Sequence, residues 1–163
     1  MKTLTLIRHA KSSWDEEGLA DKDRPLNDRG KRDAPKMGER LAARGVAADL
    51  ILSSPAVRAL TTAEIIAKAI GYKRKDIVVD ERIYDSAPGT LLDIVQKLDD
   101  THAHVMLFGH NPEFTELARL FSREIDEMST CAVAEFTFDV AHWREIGTIA
   151  PVNVVFETPK KGN

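Results

Sequence analysis

Arg8 and His9 stand side by side where an apolar run ends. Thr3-Leu4-Thr5-Leu6-Ile7 has the β-branched and aliphatic content of a short buried strand, so the pair falls at its carboxyl end. In open parallel α/β sheets, ligands bind in the crevice outside that end. A guanidinium offers a planar fork of donors matched to a phosphoryl group, and an imidazole serves as nucleophile or proton carrier near neutral pH. Taken alone, the pair is also what a polar strand end would show. The pattern recurs, however. Val105-Met106-Leu107-Phe108 is a second apolar strand, and Gly109-His110-Asn111-Pro112 follows at once. Asn111 and Pro112 announce a helix, so His110 should stand beside the partial positive charge of a helix amino terminus, where anions bind. A third strand, Leu50-Ile51-Leu52, leads into Ser53-Ser54-Pro55, with Ser54 expected to cap a helix and Pro55 to occupy its first position. Arg58 lies one turn inside, and its side chain tilts back toward the amino end. It could reach the crevice or be an ordinary exposed helix arginine.

Between Ala10 and Asn27 the chain has no apolar period, and a loop longer than about 12–15 residues is usually functional or disordered. Lys11, Ser12 and Arg24 could overhang the site from it, with solvated surface the competing reading for Lys11 and Arg24. Ala34, Met37, Gly38, Leu41 and Ala42 are spaced for one buried helix face, with Asn27 as cap and Gly45 as terminator; Pro35 implies either a kink or a later start near Asp33. The helix after Pro55 should run to about Ile70 and end at Gly71. Ile77–Val79 reads as a strand, and Thr90 with Asp93 as a capping box for a helix facing inward through Leu91, Ile94, Val95 and Leu98. A helix through Phe114, Leu117, Ala118 and Phe121 follows, then two strands, Val133–Phe138 and Val152–Glu157, as an antiparallel pair at a sheet edge. His142 and Trp143 read as structural. Alternating strands and helices predict a three-layer α/β/α sandwich with a largely parallel sheet, one domain spanning 1–163.

Composition narrows the function classes. Hydrophobic content of 43% and charged content of 30% are those of a globular domain. A net charge of −3 argues against a nucleic-acid partner, and the basic clusters at Arg29–Arg32, Lys73–Lys75 and Lys160–Lys161 read as solvated surface. No apolar run approaches the roughly 20 residues of a membrane span, and no leader pattern opens the chain, so a cytoplasmic location without membrane partner is expected. Cys131 is the single cysteine, which fits a reducing compartment. The five histidines show no His-x-x-x-His pair suited to a metal. A Gly-x-Ser-x-Gly elbow and a Gly-Lys-Ser/Thr phosphate loop are also missing.

Together, Arg8-His9, Ser53-Ser54-Pro55-Ala56-Val57-Arg58-Ala59 with Thr62-Ala63, and Gly109-His110-Asn111-Pro112 resemble the three signatures of the histidine phosphatase superfamily, with its phosphoglycerate-mutase-like fold. The short chain and Asp23-Arg24-Pro25-Leu26-Asn27 with Gly30 most resemble the SixA-type protein phosphohistidine phosphatases. One departure is Ala10, where the family usually has glycine. The resemblance implies that His9 is the nucleophile, forming a phosphohistidine intermediate, while Arg8, Arg58 and a protonated His110 hold the phosphoryl oxygens without metal or other cofactor. It implies an acid after the third strand, for which Asp85 is the nearest counterpart and Glu81 the next, with water a further option. The expected substrate is phosphohistidine in a protein. The alternatives are a phosphatase of small phosphate monoesters, or a phosphate-recognising module without turnover. The sequence fixes no oligomeric state.

Overall fold

Side chains alternate between the two faces of a strand, and in the central strands both faces are apolar. In a computed structural model, which describes residues 1–160, the elements run β1 (Lys2–Arg8), α1 (Asp28–Ala43), β2 (Leu50–Ser53), α2 (Val57–Ile70), β3 (Val78–Val79), α3 (Pro88–Gln96), β4 (His104–Gly109), α4 (Glu113–Phe121), β5 (Val133–Phe138) and β6 (Asn153–Glu157). Leu4, Leu6, Val105 and Leu107 enter one core with Leu91, Ile94 and Val95 of α3 and Phe114, Leu117 and Phe121 of α4. Ile7, Met106 and Phe108 enter the other with Met37 and Leu41 of α1 and Ile66 and Ala67 of α2. Two helices therefore cover each face, giving the expected three layers.

The sheet order is β3-β2-β4-β1-β5-β6. The first four strands are parallel; β5 joins β1 and β6 joins β5 antiparallel, as the pair expected at an edge. Strands β1, β2 and β4 thus end side by side, with Arg8 opposite Gly109 and Ser53 opposite Phe108.

Helix α1 bears out its expected cap, and the starts of two other helices differ from expectation. Helix α1 begins at Asp28, its Asn27 cap accepting from Gly30 N at 2.9 Å, and continues through Pro35, so the later start near Asp33 is ruled out. Ser54 does not cap α2, which begins at Val57 with Ala56 as its cap residue; Ser54 Oγ instead accepts from Ala56 N at 3.1 Å in the turn before it. Thr90 is inside α3 rather than at its cap, because Pro88 takes the first helical position, where its missing N–H costs nothing. Gly71 ends α2 as expected, in the left-handed region at φ 78°.

Trp143 is fully buried and donates from its indole to His102 O at 2.9 Å, while His142 contacts Asp100 at 2.8 Å; both hold structure. The charged side chains of the first two basic clusters are exposed, as is Lys160; Lys161 lies outside the described residues. Among the described residues no helix is long and apolar enough to cross a membrane.

Candidate active site

Ladder geometry brings the two histidines together. His9 N donates to Gly109 O at 3.0 Å, continuing the β1–β4 pairing one residue past the strand, and the His9 and His110 rings lie 5.2 Å apart. Arg58, on the first turn of α2, turns to the same edge. A cavity of about 210 Å³ is lined by Arg8, His9, Lys11, Ser12, Trp14, Arg24, Arg58, His110, Asn111 and Thr130. Every phosphate-side residue expected from the sequence is therefore in one place.

His9 is 7% exposed, and its Nδ1 donates to Ala10 O at 2.6 Å. That bond fixes the tautomer, leaving the Nε2 lone pair free. Burial, above all, pushes the imidazole pKa down to about 3, with the charges of His110, Arg58 and Arg8 acting the same way against the pull of the Ala10 carbonyl. A ring that stays neutral at pH 7 can act as a nucleophile. Ala10 N in turn donates to Thr62 Oγ1 at 3.0 Å, and Thr62 donates to Arg58 O at 2.7 Å, so one hydroxyl ties the segment after His9 to the helix of Arg58. The Ala10 methyl is buried in the second core, and residue 10 is not among the positive-φ positions. Glycine is not required there.

His110 is also buried. Burial first, then the charge of Arg58, lowers its pKa to about 4, so in the free enzyme it is neutral rather than protonated. Its Nε2 shares a hydrogen bond with Ser54 Oγ at 2.7 Å, and Tyr84 meets its ring edge-on at 5.5 Å. The cationic charge of the free site resides on the arginines and Lys11.

Those arginines are held in three ways. Arg8 donates from Nη1 to Met128 O at 3.0 Å. Arg58 donates to Asp21 twice, from Nη1 to the backbone O at 2.7 Å and from Nη2 to Oδ2 at 2.9 Å. Arg24 reaches Asp21 Oδ1 at 3.1 Å and Ser12 Oγ at 2.8 Å, with its guanidinium carbon 3.5 Å from the ring centre of Trp14. Tyr84 also donates to Asp21 Oδ2, at 2.6 Å, and with both arginines holds that carboxyl well below the usual carboxylate range. Arg8 Nε, Arg58 Nε and His110 Nδ1 are buried without a hydrogen-bond partner among the described residues. Leaving such groups unsatisfied costs roughly 1–3 kcal/mol each. An oxyanion is the ligand that a site rich in such donors favours.

The loop before α1 is folded back rather than free. Ser13 N donates to Pro25 O at 2.8 Å and Asn27 N to Lys11 O at 3.0 Å, and a Cβ added to Gly30 would collide with the Lys11 carbonyl. Glycine at position 30 is required by that close approach.

A second cavity, about 310 Å³, shares Arg58, His110 and Asn111 with the first and adds Asp21, Tyr84, Asp85 and Glu113. Asp85 is exposed, with φ 53°. Glu81 is not among the lining residues; it pairs with Lys22 at 3.3 Å and is itself largely exposed. Glu113, first residue of α4, is half-buried, and burial chiefly raises its pKa.

Sequence reasoning missed Asp21, Ser54, Thr62, Tyr84 and Glu113 as site residues. Only Ser54 and Thr62 carried a signal, since both lie in the segment that also holds Arg58. Roomier hollows of about 460 Å³ lie along α2, lined by residues such as Ile65 and Lys68, away from the strand ends.

Known proteins place this arrangement. An uncharacterised protein of Mycobacterium tuberculosis is 30% identical, across 94% of this chain and 100% of its own. A structure named for the phosphohistidine phosphatase SixA of Agrobacterium tumefaciens superposes with a TM-score of 0.77 at 29% identity, covering 83% of this chain and 90% of that one. A 2,3-bisphosphoglycerate-dependent phosphoglycerate mutase of Nitrobacter hamburgensis is 30% identical over 59% of this chain and 49% of the mutase. The model of the histidine phosphatase superfamily (branch 1) matches residues 4–115, the span that carries both site histidines and both core arginines, and the chain belongs to that superfamily.

Proposed function

We propose that the protein is a single-domain, cytoplasmic phosphatase that removes phosphate from phosphohistidine in a protein. The observation that favours this substrate is the acidic lining of the second cavity, where Asp85 and Glu113 have no cationic partner among the described residues and the one arginine, Arg58, is taken up by Asp21. A leaving group carrying carboxylate or a second phosphate meets like charge there, at a cost that several charges compound. An imidazole, which leaves as a neutral ring once it has accepted a proton, brings no like charge. A phosphoglycerate is therefore the poorer fit.

In this mechanism His9 Nε2 attacks phosphorus in line, and the bond to the leaving imidazole breaks as that ring gains a proton. Water then attacks the phosphorus of phospho-His9, freeing phosphate and restoring the neutral ring. Arg8, Arg58 and Arg24 stabilise the phosphoryl oxygens, with Lys11 at the rim; His110 takes up a proton as the dianion arrives and adds a third kind of donor. Splitting the displacement into two steps and placing fixed positive charge around it are the two sources of rate.

The experiment is a panel of substrates. The expected result is a kcat/KM for a phosphohistidine-bearing protein well above that for sugar phosphates and phosphoglycerates. Preference for the small esters would move the assignment to a monoester phosphatase, and binding without turnover of any of them to a recognition module.

Because arginines supply the neutralising charge, dialysis against EDTA is expected to leave the rate unchanged. Loss of activity that zinc or manganese restores would overturn that account.

A further inference from the structure

The leaving-group side holds several carboxyls, and their surroundings set them apart. Asp21 is committed as an anion to Arg58, Arg24 and Tyr84. Glu81 is tied to Lys22 at the surface. Asp85 faces solvent. Glu113 alone among these is half-buried with no ion pair among the described residues, and it stands three residues after His110, on the wall of the cavity that His110 and Arg58 share with the phosphate pocket.

We infer that Glu113, rather than Asp85 or Glu81, is the proton donor to the leaving group. Its environment agrees. Burial and the neighbouring carboxylates Asp85 and Glu116 raise its pKa, against the opposing pull of its own backbone N–H, whereas the same cavity's Asp21 is driven the other way. Two carboxyls pushed apart in one site mark the acid and the fixed charge. In the first half-reaction the Glu113 carboxyl gives its proton to the departing atom as the bond to phosphorus breaks. In the second, the resulting carboxylate takes a proton from the attacking water as the phosphorus–Nε2 bond breaks. The sum is ester or phosphoramidate plus water giving alcohol or imidazole plus phosphate.

This rests on the phosphatase reading, so the test first traps phospho-His9 in the wild type from p-nitrophenyl phosphate. Without that species the reading itself fails. With it, Glu113→Gln and Asp85→Asn are compared on p-nitrophenyl phosphate, whose phenolate leaves readily, and on β-glycerophosphate, whose alkoxide does not. General acid catalysis is worth about 10²–10⁴-fold for poor leaving groups. Glu113→Gln is expected to lower the alkyl rate by such a factor more than the aryl rate, through kcat rather than KM, and to remove the alkaline limb of the alkyl kcat/KM profile. Asp85→Asn is expected to leave the alkyl-to-aryl ratio unchanged. Equal losses on both esters, the differential appearing in Asp85→Asn instead, or a wild type that hydrolyses only the aryl ester would each overturn the assignment. Vanadate affinity and the melting temperature of both variants identify loss of folding, in which case Glu113→Asp, keeping the carboxyl, must restore the alkaline limb or the inference falls.

Discussion

Replacing His9 with alanine should abolish turnover while leaving the site able to bind vanadate. The reason is the division of labour proposed around the 210 Å³ cavity: Arg8, Arg24, Arg58 and His110 line it and are proposed to hold the oxyanion, and none depends on His9 for its partners. His9 contributes the attacking Nε2, a role for which a neutral ring with its other nitrogen bonded to Ala10 is arranged. Losing a covalent nucleophile removes the two-step route altogether. The measurement pairs steady-state rates with radiolabelled phosphoenzyme; more than a few per cent residual activity, or label elsewhere on the chain, would take the nucleophile role from His9. Acid should do little to this ring above pH 4, since its pKa lies near 3. Any loss of rate between pH 7 and 5 then belongs to another group or to the substrate.

Arg58→Ala should weaken both vanadate binding and catalysis, by about 2–4 kcal/mol, or roughly 30- to 1000-fold. Two effects combine. A charge-assisted donor is removed from the phosphoryl oxygens, and Asp21 loses one of the two arginines that hold it, so that a less neutralised carboxylate remains beside the pocket. Arg58→Lys should recover little, because an ammonium cannot reproduce the two-point grip on Asp21. Binding titrations alongside kinetics check this. An Arg58→Ala enzyme with unchanged affinity and rate would show that α2 contributes nothing to the chemistry.

The residues that sequence made legible are those placed by regular structure. Arg8 and His9 follow the strand residues Thr3-Leu4-Thr5-Leu6-Ile7 and His110 follows Val105-Met106-Leu107-Phe108-Gly109, and the carboxyl ends of parallel strands are where ligands bind in such sheets. Arg58 was readable through helix geometry, although its α2 starts two residues later than Pro55 suggested. Ser54 was misread because serine before proline is what a helix cap looks like; its hydroxyl is drawn instead to His110, a neighbour supplied by β4 fifty-six residues away. Asp21 and Tyr84 sit in segments without apolar period, and only the folded chain shows that they meet. Glu113 was invisible in the opposite way, as an acid in the first turn of a helix is so ordinary that nothing marks it.

The hydrogen-bonded pairing that continues from Arg8–Gly109 to His9–Gly109 has a wider consequence. The separation of the two histidines is a property of strand register, whereas the second cavity is walled largely by residues from the loop before α1, the turn before α3 and the start of α4. Those segments can change length or sequence without altering the distance over which phosphorus is attacked. Reaction type is thereby insulated from substrate choice: what departs from the phosphate can be exchanged by remodelling three surface stretches, and the relatives of this chain include proteins named for a phosphohistidine phosphatase and for a phosphoglycerate mutase.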